Sequence, residues 1–120
     1  MTTTIKALKA HTPGWRAHHN IYKKNAEVRG IRWALTIKEV ETLFAGDCFY
    51  CGDGPEERRF STASKNPYVE ILSGIDRVDP AGAYTVSNTV SACKACNKAK
   101  GYLGRDLFLR KCRQVAAKHP

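Results

Sequence analysis

Residues 48–52 read CFYCG and residues 93–97 read CKACN, and these two short stretches decide how the chain folds. In each, two cysteines are separated by two residues, the spacing at which one tight turn presents both sulfur atoms to a single tetrahedral ion. Two such pairs supply four thiolate ligands and would clip together the ends of a loop of 41 residues. We therefore expect one structural zinc ion per chain, bound by Cys48, Cys51, Cys93 and Cys96.

This zinc site is expected to be structural and to form in a reducing compartment. A closed four-thiolate site leaves no coordination position for a substrate. The N-terminal residues lack the apolar stretch of a secretion signal because Lys6 and Lys9 interrupt it, so we expect a cytoplasmic protein of a prokaryote or a phage-infected cell. A redox role for the cysteine pairs is the main alternative there. The spare thiol, Cys112, is expected to be a core residue.

The composition is that of one soluble globular domain. The chain has 120 residues, of which 42% are hydrophobic and 26% are charged. Its longest apolar runs are far too short to cross a bilayer, so no membrane partner is expected. No internal repeat or linker divides the chain, which predicts a single domain over residues 1–120. We distinguish in it a basic helical extension (1–47), a zinc-bound core (48–102) and a C-terminal helix (103–120).

Basic residues are concentrated at the two ends of the chain. Twenty Lys and Arg against eleven Asp and Glu give a net charge of +9. Residues 1–47 contribute +4, residues 48–92 contribute −2 and residues 93–120 contribute +7. Basic flanks favour a polyphosphate partner through Coulomb attraction and counterion release. A basic surface that is merely solvated is the alternative.

Two helices are predicted ahead of the first cysteine pair. Aromatic and apolar residues recur at spacings of three and four from about Gly14 to Arg29. Thr36 followed by Glu39 forms a capping-box pattern, which predicts the start of a second helix. The buried stripe of that helix would consist of Val40, Leu43 and Phe44.

The remaining chain is expected to alternate strands with helices. Residues 52–67 have loop composition, residues 68–78 favour one strand, and residues 89–92 favour a second. Residues 96–102 are predicted to be helical. A last amphipathic helix over about residues 105–118 would bury Phe108, Cys112, Val115 and Ala116.

Three further motifs lie around the second cysteine pair: GIDRVD at residues 74–79, GAYTVSN at residues 82–88, and CKACNKAKG at residues 93–101. Together with the first cysteine pair, this combination resembles the HNH endonucleases. These are nucleases with a ββα-metal finger that are common in bacteriophages and among homing endonucleases. The resemblance covers about residues 20–118.

The resemblance implies an α+β fold, in which a ββα-metal finger is stapled by the four-cysteine zinc site and flanked by N- and C-terminal helices. It implies a metal-dependent endonuclease that hydrolyses phosphodiester bonds of DNA, most naturally the double-stranded form, with either nicking or double-strand cleavage. Asp76 and Asn97 would hold one divalent cation, Mg²⁺ or Mn²⁺, while Asn88 would pin the loop between the strands. These oxygen ligands suit a hard cation.

Arg77 stands where the family has the histidine that acts as general base. Arginine stays protonated near neutral pH, so it is a poor base and a good clamp for a phosphate. The base could come from elsewhere, for example from His18 or His19, or the proton of the attacking water could pass to bulk solvent. The site could also be catalytically weak and retained for binding. That last reading makes a non-catalytic zinc-ribbon DNA-binding protein the alternative function.

Basic residues near these motifs are the expected DNA contacts. The set comprises Lys94, Lys98, Lys100, Arg105, Arg58 and Arg59. Lys100 lies one helical turn beyond Asn97 and would face the same phosphate, whereas Glu56 and Glu57 weaken the case for the two arginines beside them. The histidines are expected to be solvated. A monomer and a homodimer both remain open, as does a protein-interaction module built on the zinc site.

Overall fold

A computed structural model describes residues 11–60 and 68–120 of the chain. Four helices are present in these ranges: α1 (Pro13–Val28), α2 (Ile37–Ala45), α3 (Lys94–Lys100) and α4 (Arg105–Lys118). Four strands are present as well: β1 (Glu56–Phe60), β2 (Tyr68–Leu72), β3 (Gly74–Arg77) and β4 (Thr89–Ala92). A short 3-10 turn, Val86–Asn88, precedes β4. The predicted α+β class is confirmed.

Helix α1 has a capping residue before its first turn and a glycine shortly after its last. The Thr12 side chain accepts a hydrogen bond from the Trp15 amide, and Pro13 occupies the first turn, where a missing N–H costs nothing. After the helix, Gly30 adopts a φ of 67°, a left-handed conformation that glycine tolerates and that turns the chain away. The helix predicted from Gly14 to Arg29 is therefore observed within one residue at each end.

The main core forms between α1, α2 and the strands. The capping box of α2 is present in full, since the Thr36 side chain accepts from the Glu39 amide and the Glu39 side chain accepts from the Thr36 amide. Val40 and Phe44 are completely buried, as predicted. The Phe44 ring lies 5.3 Å from the ring of Trp15 and 4.3 Å from that of His18, measured between centroids. Aromatic packing of this kind joins α1 to α2.

The strands form two separate antiparallel hairpins rather than one long strand and a partner. Strand β1 pairs with β2, with Glu56 opposite Leu72, and β3 pairs with β4, with Gly74 opposite Ala92. The loop predicted over residues 52–67 is wrong at residues 56–60, which form β1. The single strand predicted over residues 68–78 is also wrong, because it breaks at Ser73. The Ser73 amide donates to the carbonyl of Phe44 at 2.8 Å, which ties the break to the end of α2.

The C-terminal helices depart from prediction in burial more than in position. Helix α3 starts at Lys94, two residues earlier than predicted, and Cys93 caps it by accepting from the Cys96 amide. Helix α4 has the predicted bounds, yet of its expected buried stripe only Phe108 is buried. Cys112 is exposed, so the prediction that it is a core residue is wrong. The other residues of that stripe line an open apolar groove together with Ala99 and Leu103.

Within residues 11–60 and 68–120, no helix combines the length and the apolar character needed to cross a membrane.

Candidate metal centre and adjoining cleft

The two cysteine pairs meet at one point, between the turn that follows α2 and the start of α3. All four sulfur atoms lie within 4.8 Å of one another. The Sγ atoms of Cys51 and Cys93 are 3.7 Å apart, far beyond a disulfide bond. An ideal tetrahedron with metal–sulfur bonds of about 2.3 Å has edges of about 3.8 Å. The predicted cluster therefore has the dimensions of a four-thiolate metal site.

Backbone amides around the cluster favour thiolates over thiols. The Asp53 amide donates to Cys51 Sγ at 3.5 Å, and the Cys96 amide donates to Cys93 Sγ at 3.3 Å. Burial would raise the pKa of Cys48, but hydrogen bonds from neighbouring amides outweigh it and lower that pKa to about 7. Burial and the adjacent sulfurs raise the pKa of Cys96. Four sulfurs this close repel one another as thiolates, so the donor set fits a bound cation.

Asp76 lies on β3 beside this cluster and both of its carboxylate oxygens are engaged. The residue is 5% exposed. Its Oδ1 accepts from the ammonium of Lys100 at 3.2 Å, and its Oδ2 accepts from the hydroxyl of Tyr50 at 2.5 Å. Tyr50 stands between Cys48 and Cys51, so the first cysteine turn contacts the carboxylate directly. Burial and the hydrogen bond to Asp76 both raise the pKa of Tyr50, which keeps the hydroxyl a donor.

The predicted role of Lys100 as an accessible phosphate contact is wrong. It was expected to face a phosphate, but it is 1% exposed, and its ammonium also donates to the Arg77 carbonyl at 2.9 Å. A buried ammonium needs a partner charge, and Asp76 supplies it. The pair joins the end of α3 to β3.

Asn97 faces the same region from α3, one residue after the zinc-site Cys96. Its Nδ2 donates to the carbonyl of Ile75 at 3.3 Å, across to β3. This contact orients the side-chain amide, and its Oδ1 receives no hydrogen bond from the described residues. The oxygen is therefore available to a ligand.

Asp76, Arg77 and Asn97 line one cleft of about 380 Å³. The structure thus brings together three of the four residues predicted to be catalytic. Helix α1 forms another wall, and the cleft residues that the sequence did not single out as site residues include Tyr22, Asn25, Arg29 and Tyr102. The first three lie at helical spacings of three and four, which is the signal that could have found them. The Tyr22 hydroxyl accepts from the Ile75 amide at 3.0 Å and so fixes α1 against β3.

The fourth predicted residue, Asn88, lies outside the cleft and holds the loop that borders it. Its Nδ2 donates to the Ala83 carbonyl at 2.9 Å and to the Asp79 carbonyl at 3.1 Å, while its Oδ1 accepts from the Asp79 amide at 3.0 Å. Arg77 holds the same loop from the other side, since its Nη1 donates to the carbonyls of Pro80 and Gly82 at 2.6 and 2.7 Å. Both side chains fix the shape of the cleft rim.

No histidine lines the cleft within residues 11–60 and 68–120. His18 is buried in the aromatic core, against the expectation that it is solvated, and its Nε2 donates to the Ser73 carbonyl at 3.0 Å. Burial lowers the pKa of His18 to about 4, so it is neutral near pH 7. His19 packs near Trp15 and Trp33 instead. His11 Nε2 donates to a carboxylate oxygen of Glu41 at 3.0 Å.

The other basic residues predicted to contact DNA differ in their exposure and in their ion pairs. Lys94 and Lys98 are exposed on α3. Arg59 is exposed and paired with Glu57, and Arg105 is paired with Asp106. The Arg58 side chain is only 11% exposed because it donates to the Leu72 carbonyl at 2.9 Å and pairs with Glu56. Within the described residues, the two α3 lysines are therefore the exposed members of this set that form no ion pair.

Comparison with known proteins finds HNH endonucleases among the similar sequences and among the similar folds. The chain is 27% identical over 92 residues to YoqL, a putative HNH endonuclease derived from the SPbeta prophage of Bacillus subtilis. Its fold matches that of the HNH restriction endonuclease PacI with a TM-score of 0.57 at 18% identity, covering 85% of this chain and 76% of PacI. This chain is HNH-like in both sequence and fold. An uncharacterised protein of Acanthamoeba polyphaga mimivirus is 30% identical to it over 95 residues.

The HNH-like region is only part of those relatives. The matches cover 77% and 79% of this chain but 37% of YoqL and 16% of the mimivirus protein. No profile of a known protein family matches the chain.

Proposed function

We propose that this HNH-like chain is a metal-dependent endonuclease, a hydrolase that breaks phosphodiester bonds of DNA. One observation carries the proposal: a single cleft brings the Asp76 carboxylate on β3 opposite the Asn97 amide on α3, beside a four-cysteine cluster. The endonuclease names of YoqL and PacI support it. Zinc would fill the cysteine cluster, because soft thiolates in a tetrahedral set select it.

Asp76 and Asn97 would hold a Mg²⁺ or Mn²⁺ ion in the cleft. One carboxylate oxygen and one amide oxygen are donors that a hard cation prefers. Such an ion, when bound, neutralises charge on the phosphate and stabilises the leaving oxygen. The cysteine cluster would position both donors, since Cys96 adjoins Asn97 in sequence and Tyr50, inside the first cysteine turn, hydrogen-bonds to Asp76.

Arg77 would bind the scissile phosphate instead of acting as a base. Its Nη1 is engaged by two loop carbonyls, while its remaining N–H groups have no partner among the described residues. A guanidinium with one edge anchored presents its free edge with little loss of side-chain entropy. With no histidine lining the cleft in the described ranges, the proton of the attacking water would pass to bulk solvent.

The second candidate is a DNA-binding protein without catalysis. The Asp76–Lys100 pair favours it, because an ammonium at 3.2 Å already neutralises the carboxylate that a divalent cation would need. The two candidates differ in one measurable property, cleavage.

Plasmid nicking by the purified chain tests the proposal. We expect supercoiled plasmid to be converted to the nicked form when Mg²⁺ or Mn²⁺ is added, and to stay intact without them. Zinc content measured on the same sample should be about one ion per chain. Salt-sensitive DNA binding with no cleavage under either cation would establish the non-catalytic alternative instead.

Tyr50→Phe is expected to slow nicking without unfolding the chain. The substitution removes the hydroxyl that holds Asp76 Oδ2 and keeps the ring, whose centroid lies 5.3 Å from that of Phe108. Partners that orient metal ligands are typically worth about 10- to 100-fold in metal affinity or activity. We expect a loss of that size, a higher Mg²⁺ concentration for half-maximal rate, and partial recovery in excess Mg²⁺.

Phe49→Leu is the matched control for this positioning role. Phe49 neighbours Tyr50 in the same cysteine turn, is half exposed, and makes no hydrogen bond to Asp76. Its variant should show the wild-type Mg²⁺ dependence. Equal Mg²⁺ dependence in wild type and Tyr50→Phe would show that the hydroxyl does not position the carboxylate.

A further inference from the structure

A second concave surface continues from the cleft toward the end of α1. It has a volume of about 360 Å³, and the residues lining it include Arg29, Arg32 and Arg77. The cleft and this surface share Arg29, Arg77 and Pro80, so they form one continuous groove. We call Arg29, Arg32 and Arg77 the arginine track.

The backbone that carries the track is held on both sides. The Ile31 amide donates to the Ala26 carbonyl at 2.8 Å, which folds the chain back onto α1 after Gly30. Two further bonds join this segment to the loop beyond Arg77: the Tyr84 amide donates to the Arg32 carbonyl at 2.9 Å, and the Ala34 amide donates to the Tyr84 carbonyl at 2.8 Å. The Arg77 guanidinium also lies 5.2 Å from the centre of the Tyr84 ring. The backbone that carries these three arginines, in two segments of the chain, is therefore held in place.

No carboxylate of the described residues forms an ion pair with the arginine track. No Asp or Glu lines this second surface, and within residues 11–60 and 68–120 neither Arg29 nor Arg32 forms an ion pair. Both residues are exposed. Converging like charges raise the free energy of the folded chain, and an anion bound between them relieves this repulsion. Guanidinium groups match phosphate oxygens in geometry.

We propose that the arginine track binds successive phosphates of the DNA strand that runs through the cleft. The proposal rests on the proposed function, which places the scissile phosphate at Asp76, Arg77 and Asn97. Arg29 and Arg32 then continue the path of the backbone out of the cleft. Since they contact phosphate rather than bases, the track sets the position of the strand and not the sequence that is cut.

The double variant Arg29→Gln/Arg32→Gln tests the track. Both side chains are exposed, so the fold and the zinc content should be unchanged. Binding of a fluorescein-labelled DNA duplex is measured by anisotropy over a range of salt concentrations, without added Mg²⁺ or Mn²⁺ so that no cleavage occurs. Loss of two phosphate contacts should reduce the slope of log K against log salt by about 1.8, and by about 1.4 for a single-stranded probe.

Lys23→Gln/Lys24→Gln is the matched control. These lysines lie on the same helix, are exposed, and line neither the cleft nor the second surface. The control removes the same charge and should change the slope by much less. An equal change in both double variants, or an unchanged slope in Arg29→Gln/Arg32→Gln, would overturn the track in favour of diffuse attraction.

Plasmid nicking on the same variants separates this proposal from the proposed function. If the wild-type chain nicks DNA and the arginine double variant has an unaltered salt slope, the arginine track is disproved and the endonuclease proposal stands. If the wild-type chain binds DNA but never nicks it, and the arginine double variant shows the expected change of slope, the endonuclease proposal is disproved and the phosphate-binding groove stands. A wild-type chain that binds no DNA at low salt would overturn both.

Discussion

Cys93→Ser is expected to abolish metal binding and unfold the region around the cysteine cluster. Cys93 is 4% exposed, packs with Cys48 and Ala92 in a small core of its own, and caps α3. Structural zinc contributes about 10–16 kcal/mol in small zinc domains, which matches or exceeds the total stability of about 5–15 kcal/mol of a typical domain. Loss of one of four ligands therefore removes a large part of what keeps α3 against β3. Zinc content and thermal unfolding followed by circular dichroism measure the effect.

Cys112→Ser is the control that the chain itself offers. Its thiol is exposed on α4 and lies outside the cluster. Surface substitutions of this kind usually change stability by less than about 0.5 kcal/mol. We expect full zinc content and an unchanged melting temperature for this variant. A Cys93→Ser protein that keeps its metal and melts with wild type would rule out the four-thiolate site.

Local signals in the sequence predicted the helices and the cysteine cluster well. The capping box at Thr36 and the glycine at position 30 act within a few residues, so their outcome does not depend on the rest of the fold. The Cys-x-x-Cys spacing is likewise a local signal, because it involves only four consecutive residues. Two such turns can share one ion wherever the chain brings them together, and this is why the cluster was predictable without knowing the sheet.

Strand β1 shows what local signals miss. Residues 56–60 read EERRF, a polar run with neither the β-branched residues nor the alternation of apolar side chains that favour a strand. They become a strand because β2 offers a paired edge, from Glu56 opposite Leu72 to Arg59 opposite Val69. The break at Ser73 has the same origin, since its amide pairs with the distant carbonyl of Phe44.

The sequence predicted some of the residues that line the cleft, and it did not predict their contacts. Asp76 and Asn97 were identified from the motifs, but the burial of Lys100 was not, because its partner charge lies 24 residues away along the chain. Nothing in the sequence marked Tyr50 as a contact of Asp76. The ion pair changes how the site must be tested, since the carboxylate now has a structural role as well as a proposed catalytic one.

Asn97→Ala is expected to abolish metal-dependent nicking while the fold persists. The substitution removes the free Oδ1 and a single 3.3 Å hydrogen bond to the Ile75 carbonyl, which contributes about 1 kcal/mol to stability. It leaves the Asp76–Lys100 pair and the four cysteines untouched. Loss of a metal ligand should reduce the nicking rate by at least about 100-fold. Asn20→Ala, an exposed asparagine on α1 outside the cleft, is the control and should nick at the wild-type rate.

Asp76 should be tested with a conservative substitution, because Asp76→Ala would leave the Lys100 ammonium buried with no side chain to replace its carboxylate partner. Breaking a buried ion pair in this way costs about 3–5 kcal/mol, so lost nicking could reflect unfolding. Asp76→Asn keeps the size of the side chain and one oxygen, which can still accept from Lys100, while the Tyr50 hydroxyl can turn to accept from the new amide. Lys100 thus keeps a hydrogen-bond acceptor, and the substitution removes the negative charge that a divalent cation requires. We expect nicking to fall at least about 100-fold in chain that still binds zinc, whereas Asp106→Asn on the exposed face of α4 should behave as wild type. Wild-type nicking by both Asn97→Ala and Asp76→Asn would place the chemistry outside this cleft.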